Sequence, residues 1–222
     1  MHEELGWPVL FRDITLGCDY DLTKRANQHK IFNWLRQGFL KAGHLGTPCN
    51  SFSRARDMPG GPPALLRSDS RPLGLEGLRQ ADALKVKLHG KCTDVLFMSC
   101  SLALTLHVAF TLENPLRSRL WLCPSVQRLL PRRFTCVVEV TFCSFGTSWK
   151  KPTRLLGIDI DLNVLSGHYY RGTKRGMCLF SDKPHVALMS QTNGVWRTKL
   201  AEPYPNKFCR ALPNVLQILT YP

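Results

Sequence analysis

The stretch "AGHLGTPCNSFSRARD", residues 42–57, decides how the chain is read. Its first half, Ala42 to Pro48, is short and mostly small or apolar, a strand emptying into a loop. Thr47-Pro48 then delivers Cys49 into a polar, basic run, Asn50-Ser51-Phe52-Ser53-Arg54-Ala55-Arg56. A buried structural cysteine needs no such setting; a nucleophile is served by it. The thiolate is the reactive form, and cations as close as Arg54 and Arg56 favour it.

Outward from this loop the chain alternates strand and helix signals. "WPVLFRDI" (7–14) reads as a short buried strand ending at Asp13. Asp21 and Thr23 can cap a helix whose face carries Ile31, Trp34, Leu35 and Leu40 and which Gly43 ends. Residues 54–75, rich in Pro, Gly, Arg and Ser, read as a mobile loop, and helical segments follow at about 76–90 and 91–107. "HVAFTLENP" (107–115) is a strand stopped by Pro115, "FTCVVEVTFCSFG" (134–146) a second, and "TRLLGIDI" (153–160) a third. The tail, 163–222, mixes short strands, a turn at Thr192-Asn193-Gly194 and a final apolar run. Such alternation predicts an α/β layered domain with a mostly parallel sheet.

Composition sets the class of partner. With 222 residues, 44% hydrophobic and 21% charged, the chain is globular: one domain, or one with a small appendage. Thirty Lys and Arg against 16 acidic residues give a net charge of +14, which favours a polyanion, most simply nucleic acid. Nine cysteines, an odd number, behind a start too acidic for a signal peptide, read as reduced thiols in an intracellular compartment. No CxxC or HxxxH pair occurs, and Cys136 and Cys143 are not at a usual zinc spacing, so no metal site is expected. The apolar run Val95–Phe110 carries His107 and reads as a core helix running into a strand, not a membrane span.

Three segments carry chemistry: "GTPCNSFSRARD" (46–57), "FTLENP" (110–115) and "FGTSWKKPTRLLG" (145–157). Ligands gather at the carboxyl ends of strands in α/β sheets, so Cys49, Glu113 and the basic Lys150, Lys151 and Arg154 are expected at one cleft. A carboxyl group at an apolar strand end, as Glu113 is, tends to keep its proton and can act as an acid.

These residues resemble a known family. "GTPCNSFSRA" is similar to the Pro-Cys nucleophile loop of DNA cytosine-5 methyltransferases, with Asn50 where Gln is common. "LENP" is similar to that family's Glu-Asn-Val strand end, and "FGTSWKKPTRLLGI" to its Arg-x-Arg strand, in the family's order. More weakly, Asp13 resembles the acid that binds the donor's ribose, "DLT" at Asp21 the segment facing its adenine, and "RTKLAEPYP" (197–205) a late segment. The resemblance implies a Rossmann-like methyltransferase sheet over residues 1–160. A small mixed C-terminal region, 161–222, would be a reduced target-recognition part.

By residue, the resemblance implies Cys49 and Glu113 as catalytic and Arg54, Arg56, Lys151 and Arg154 as base or phosphate contacts. Asp13, Asp21 and Pro48 would bind S-adenosylmethionine. The partner is cytosine-containing DNA, with the base flipped out of the duplex, and the compartment a nuclear one among the intracellular ones. The pattern departs in places. No Phe-x-Gly-x-Gly donor loop precedes residue 13, so the sheet is expected to lack its first strand and the segment to be truncated, with little activity alone. Aligned on Phe145-Gly146, the arginine positions hold Lys151 and Thr153, and Arg154 is one residue off, on the other face of a strand. The alternatives are a non-catalytic nucleic-acid-binding remnant of a mobile-element polyprotein, or a cysteine hydrolase pairing Cys49 with His107 or His185, for which no signature is present.

Overall fold

The structure, a computed structural model, describes residues 8–10, 12–57, 64–170, 177–188, 191–192 and 195–217. Its centre is a four-stranded sheet with strands in the order β1-β2-β4-β3: β1 Ala42–Gly46, β2 Ala109–Pro115, β3 Thr135–Thr141 and β4 Pro152–Ile158. All four coincide with strand signals in the sequence. The first signal, 7–14, does not: no strand forms among its described residues, and Leu10 is exposed. Asp13 instead accepts from the Thr15 amide and hydroxyl, 2.8 Å each, and starts a short 3-10 turn over Ile14–Leu16.

The sheet is mixed rather than mostly parallel. β1 and β2 run parallel; β2–β4 and β3–β4 are antiparallel. The connections explain this. Between β1 and β2 lies helix α2, Gln80–Leu106, the long crossover that a parallel pair requires. Between β3 and β4 there is only a short 3-10 turn, Phe142–Phe145, and a loop, too little chain for a crossover, so the two form a hairpin.

Helices cover both faces. α1, Arg25–Arg36, packs on α2, and their apolar sides (Leu35, Leu96, Cys100, Ala103) meet Phe110, Leu112, Leu156 and Ile158 of the sheet. On the opposite face, Leu155, Val138 and Val140 meet Leu162, Leu165 and the Phe208 and Leu212 of α4, Asn206–Gln217. Leu155 and Leu156 thus serve opposite cores, as strand alternation dictates. Residues on both sides of position 160 share this second core. Asp21 does not cap α1; its carboxylate closes a turn onto Thr23 just before it. Gly43 lies in β1, where a Cβ would run into the Phe110 ring of the paired strand. The two helical segments expected at 76–90 and 91–107 are one helix. It ends where His107 turns left-handed (φ 54°), and β2 starts two residues later.

The small α3, Pro124–Gln127, and the two-residue strands β5, Gln191–Thr192, and β6, Val195–Trp196, complete the elements. β5 and β6 pair antiparallel; Asn193-Gly194 of the expected turn lies outside the described residues. Among the described residues no helix is long and apolar enough to cross a membrane.

Candidate active site

The parallel register of β1 and β2 sets Gly46 opposite Glu113, so the Cys49 loop leaves the sheet beside the Glu113 strand end. Alternation turns neighbouring residues of β2 to different faces. Asn114 turns to the α2 face and donates through Nδ2 to the Thr47 carbonyl (3.1 Å) and hydroxyl (3.0 Å), tethering the loop one residue before Pro48-Cys49. Glu113 turns to the other face, where Tyr204 waits just before α4.

Glu113 is 4% exposed. The Tyr204 hydroxyl donates to its Oε2 at 3.0 Å, and the Lys151 ammonium lies 4.0 Å from Oε1, which has no hydrogen-bond partner among the described residues. Burial pushes the carboxyl pKa up and outweighs the opposing pull of Lys151 and Tyr204. Burial and the Glu113 charge hold the Tyr204 hydroxyl well above its usual range, so it stays a donor. A Cβ on Gly46 would strike the Tyr204 hydroxyl, so this strand end needs glycine.

Cys49 is half-buried, with its carbonyl accepting from the Phe52 amide at 3.0 Å. Burial raises the thiol; Lys151 pulls it down and Glu113 pushes it up again. Cys49, Glu113 and Lys151 therefore form one electrostatic group. Arg54 and Arg56, the cations expected to activate the thiol, are engaged elsewhere. Arg54 bonds Asp69 (2.6 Å) and the Arg117 carbonyl (3.1 Å); Arg56 bonds the carbonyls of Asn50 (2.7 Å) and Ala64 (3.0 Å). The cation that acts most on Cys49 comes instead from the loop before β4.

The segment read as a mobile loop is, in its described parts, a scaffold for the Cys49 loop. Arg67 is 1% exposed, stacks 3.8 Å above the Phe52 ring, and donates to Ser51 Oγ (3.2 Å), the Pro72 carbonyl (2.7 Å) and the Val86 carbonyl (3.1 Å). Burial lowers its pKa to about 10. His89 of α2 shares Ser51 Oγ at 2.9 Å. Arg119 grips Asp57 with two bonds (2.8 and 2.7 Å) and Asp69 with a third (3.0 Å), while its amide donates to the Phe52 carbonyl. Residues 58–63 of this segment lie outside the described residues.

Asp13 and Asp21, eight residues apart, and the more distant Pro48 line one cavity of about 320 Å³ beside β1, the edge strand of the sheet among the described residues. Its apolar wall includes Ile31, Leu40, Val95, Leu96 and Phe110. Hydrogen bonds from Thr15 and Thr23 lower the pKa of Asp13 and Asp21 respectively, so both carboxylates are ionised at neutral pH.

Arg154 sits on the opposite face from Lys151. It pairs with Glu139 at 2.8 Å and, with Arg54, Arg117 and Trp121, lines a separate open hollow of about 360 Å³. The Lys150 ammonium lies 4.1 Å over the Tyr170 ring, away from Cys49's group. Of the two histidines weighed as hydrolase partners, His107 pairs with Asp159 (3.2 Å) and His185 meets Tyr170 (3.2 Å). Arg67, His89 and Arg119 were not singled out in the sequence, because each meets the Cys49–Glu113 region only through contacts distant along the chain; Tyr204 was marked only as part of the late segment 197–205.

No family model matches this chain, and neither the curated proteins nor the solved structures provide a match.

Proposed function

We propose that the chain is a DNA cytosine-5 methyltransferase-like protein, carrying the methyl group of S-adenosylmethionine to C5 of cytosine through a Cys49 adduct. The observation that supports this most is the juxtaposition of the Cys49 loop with a buried Glu113, its carboxyl pKa raised by burial, at the ends of adjacent parallel strands. The cavity starting at Pro48 fits a nucleoside-type donor: two ionised carboxylates can accept from ribose or adenine donors above an apolar wall. The sheet is then read as part of a Rossmann-like methyltransferase sheet, whose further strand would pair along the free edge of β1.

In this reading the Cys49 sulfur, once deprotonated, bonds to C6 of a flipped-out cytosine while Glu113 gives a proton to N3. Lys151 offsets the negative charge that collects between the two. C5, made nucleophilic, takes the methyl group that the donor supplies. Loss of the C5 proton then expels the Cys49 sulfur, and N3 returns its proton to Glu113, which restores the ring. Basic groups outside the Cys49 cluster, Arg54, Arg117 and Arg154, line one hollow; in this reading they contact phosphates, which makes binding salt-dependent.

One observation favours a second reading, the non-catalytic nucleic-acid-binding remnant: burial raises the Cys49 thiol, which keeps the nucleophile at rest. DNA containing 5-fluorocytosine separates the two. With S-adenosylmethionine present, a denaturation-resistant adduct that disappears in Cys49→Ala supports the transferase. Salt-sensitive DNA binding that survives Cys49→Ala, with no adduct, supports the remnant.

A further inference from the structure

Three potential metal ligands from two chain segments converge away from the Cys49 site. Cys143 sits in the 3-10 turn after β3; Cys178 and His185 bracket a tight turn in the C-terminal region. The two sulfurs and a ring nitrogen of His185 all lie within 4.8 Å of one another. A tetrahedral zinc with sulfur ligands at about 2.3 Å needs donor atoms about 3.7 Å apart, so small side-chain adjustments close the set. We propose that Cys143, Cys178 and His185 bind a zinc ion that fastens the C-terminal region to the end of the sheet.

The backbone is built for it. The Cys178 amide donates to the Lys183 carbonyl (2.8 Å) and the Asp182 amide to the Cys178 carbonyl (2.9 Å); Met177 and Pro184 bridge above them. This closed turn presents both Cys178 and His185 on one side. The backbone N–H groups of Phe180 and Ser181 and the Ser181 hydroxyl act on the Cys178 sulfur, where outer partners of a metal-bound thiolate stand. The Val186 amide donates to the Ser148 carbonyl (2.8 Å), tying the turn to the loop that follows Cys143. The Tyr170 hydroxyl lies 3.7 Å from the Cys143 sulfur and 3.2 Å from His185 Nε2, beside the same three groups.

The chemistry and the packing agree. Sulfur and imidazole donors suit zinc. The Lys150 ammonium over the Tyr170 ring places positive charge nearby; a bound dication would draw the protons from both thiols, and the two thiolates so formed would balance its charge. Among the described residues, the buried cluster at this place consists of Cys143, Tyr170 and Cys178. Regions with so little core are commonly stapled by a metal or a disulfide. The sequence reading expected no metal because it weighed close pairs; here the ligands are 35 and 7 positions apart (178−143 and 185−178) and meet only in the fold.

The test is metal content. The whole chain, purified under reducing conditions without a metal-affinity step, is incubated with zinc sulfate, freed of excess, and measured by inductively coupled plasma mass spectrometry. About one zinc per chain is expected. Cys178→Ser and His185→Ala lose it, and Cys18→Ser, an exposed cysteine elsewhere, keeps it. Should the variants unfold, cobalt(II) bound to the unaltered chain decides: a thiolate-to-cobalt charge-transfer band supports the site. A chain without stoichiometric zinc, a cobalt spectrum without that band, zinc retained by both variants, or a Cys143–Cys178 disulfide found by peptide mapping overturns it.

Discussion

Tyr204 donates its hydroxyl to the Oε2 of Glu113 at 3.0 Å, across 91 residues of sequence, and does so through the space that a side chain at Gly46 would fill. The glycine of the Gly-Thr-Pro-Cys loop and the acid of the Glu-Asn-Pro strand end are thus coupled by a residue belonging to neither.

That coupling is measurable. Tyr204→Phe removes a donor to a buried carboxyl group and is expected to cost about 1–2 kcal/mol in urea denaturation. Gly46→Ala is expected to cost about 2 kcal/mol by overpacking. In the double variant the clash is relieved, so the combined loss is smaller than the sum. Additive losses would show that Gly46 does not make room for Tyr204.

The pH dependence of stability has two opposed parts. Glu113 has a folded pKa raised above its ordinary 4.5, so its contribution is whole below that value and is lost as pH rises through the folded pKa. His89, lowered to about 4 by burial and by nearby Arg67, contributes above its ordinary 6.5 and loses that as pH falls through about 4. Glu113→Gln therefore flattens the loss on raising pH above about 4.5, and His89→Asn flattens the loss on acidification from pH 6.5 to 4. Chemical denaturation of both variants from pH 4 to 8 checks both signs.

Arg67→Met leaves Ser51 Oγ and the carbonyls of Pro72 and Val86 without their donor. A loss of about 3 kcal/mol is expected. Because Ser51 lies two residues from Cys49, alkylation of Cys49 by iodoacetamide should quicken in this variant before global unfolding. An unchanged alkylation rate would mean that Arg67 does not order the loop.

Asn114→Ala frees Thr47 and costs about 2 kcal/mol. Under the transferase reading it also lowers the yield of 5-fluorocytosine adduct while DNA affinity stays the same, since Asn114 positions the loop and faces no phosphate. Filter binding and denaturing gels on the same samples read the two effects separately.

Much of the layout was legible in the chain. β-branched runs and Pro115 marked β2, β3 and β4, because strand propensity and a missing backbone donor act locally. The cysteine and the acid were expected together because Cys49 follows β1 and Glu113 stands near the end of β2, and α/β sheets gather ligands at such ends. The short strand expected at 7–14 failed because an apolar run is a strand only where it has a neighbour to pair with. The scaffold around Arg67 was read as mobile because its Pro, Gly, Ser and Arg content gives no hint that an arginine there will be buried.

The sequence by itself determined the approximate positions of the four sheet strands, that the protein is strongly basic, and that Cys49, Glu113 and Lys151 stand in that order near strand ends. Tertiary structure alone decided that β4 inserts antiparallel between β2 and β3 and that Lys151, not Arg54, acts most on Cys49. It also decided that Tyr204 meets Glu113 and that Cys143, Cys178 and His185 meet one another. Propensity and turn chemistry are written within a few residues. Register, facing and charge pairing depend on which distant segments exclude water together, and that is settled only when the whole core closes.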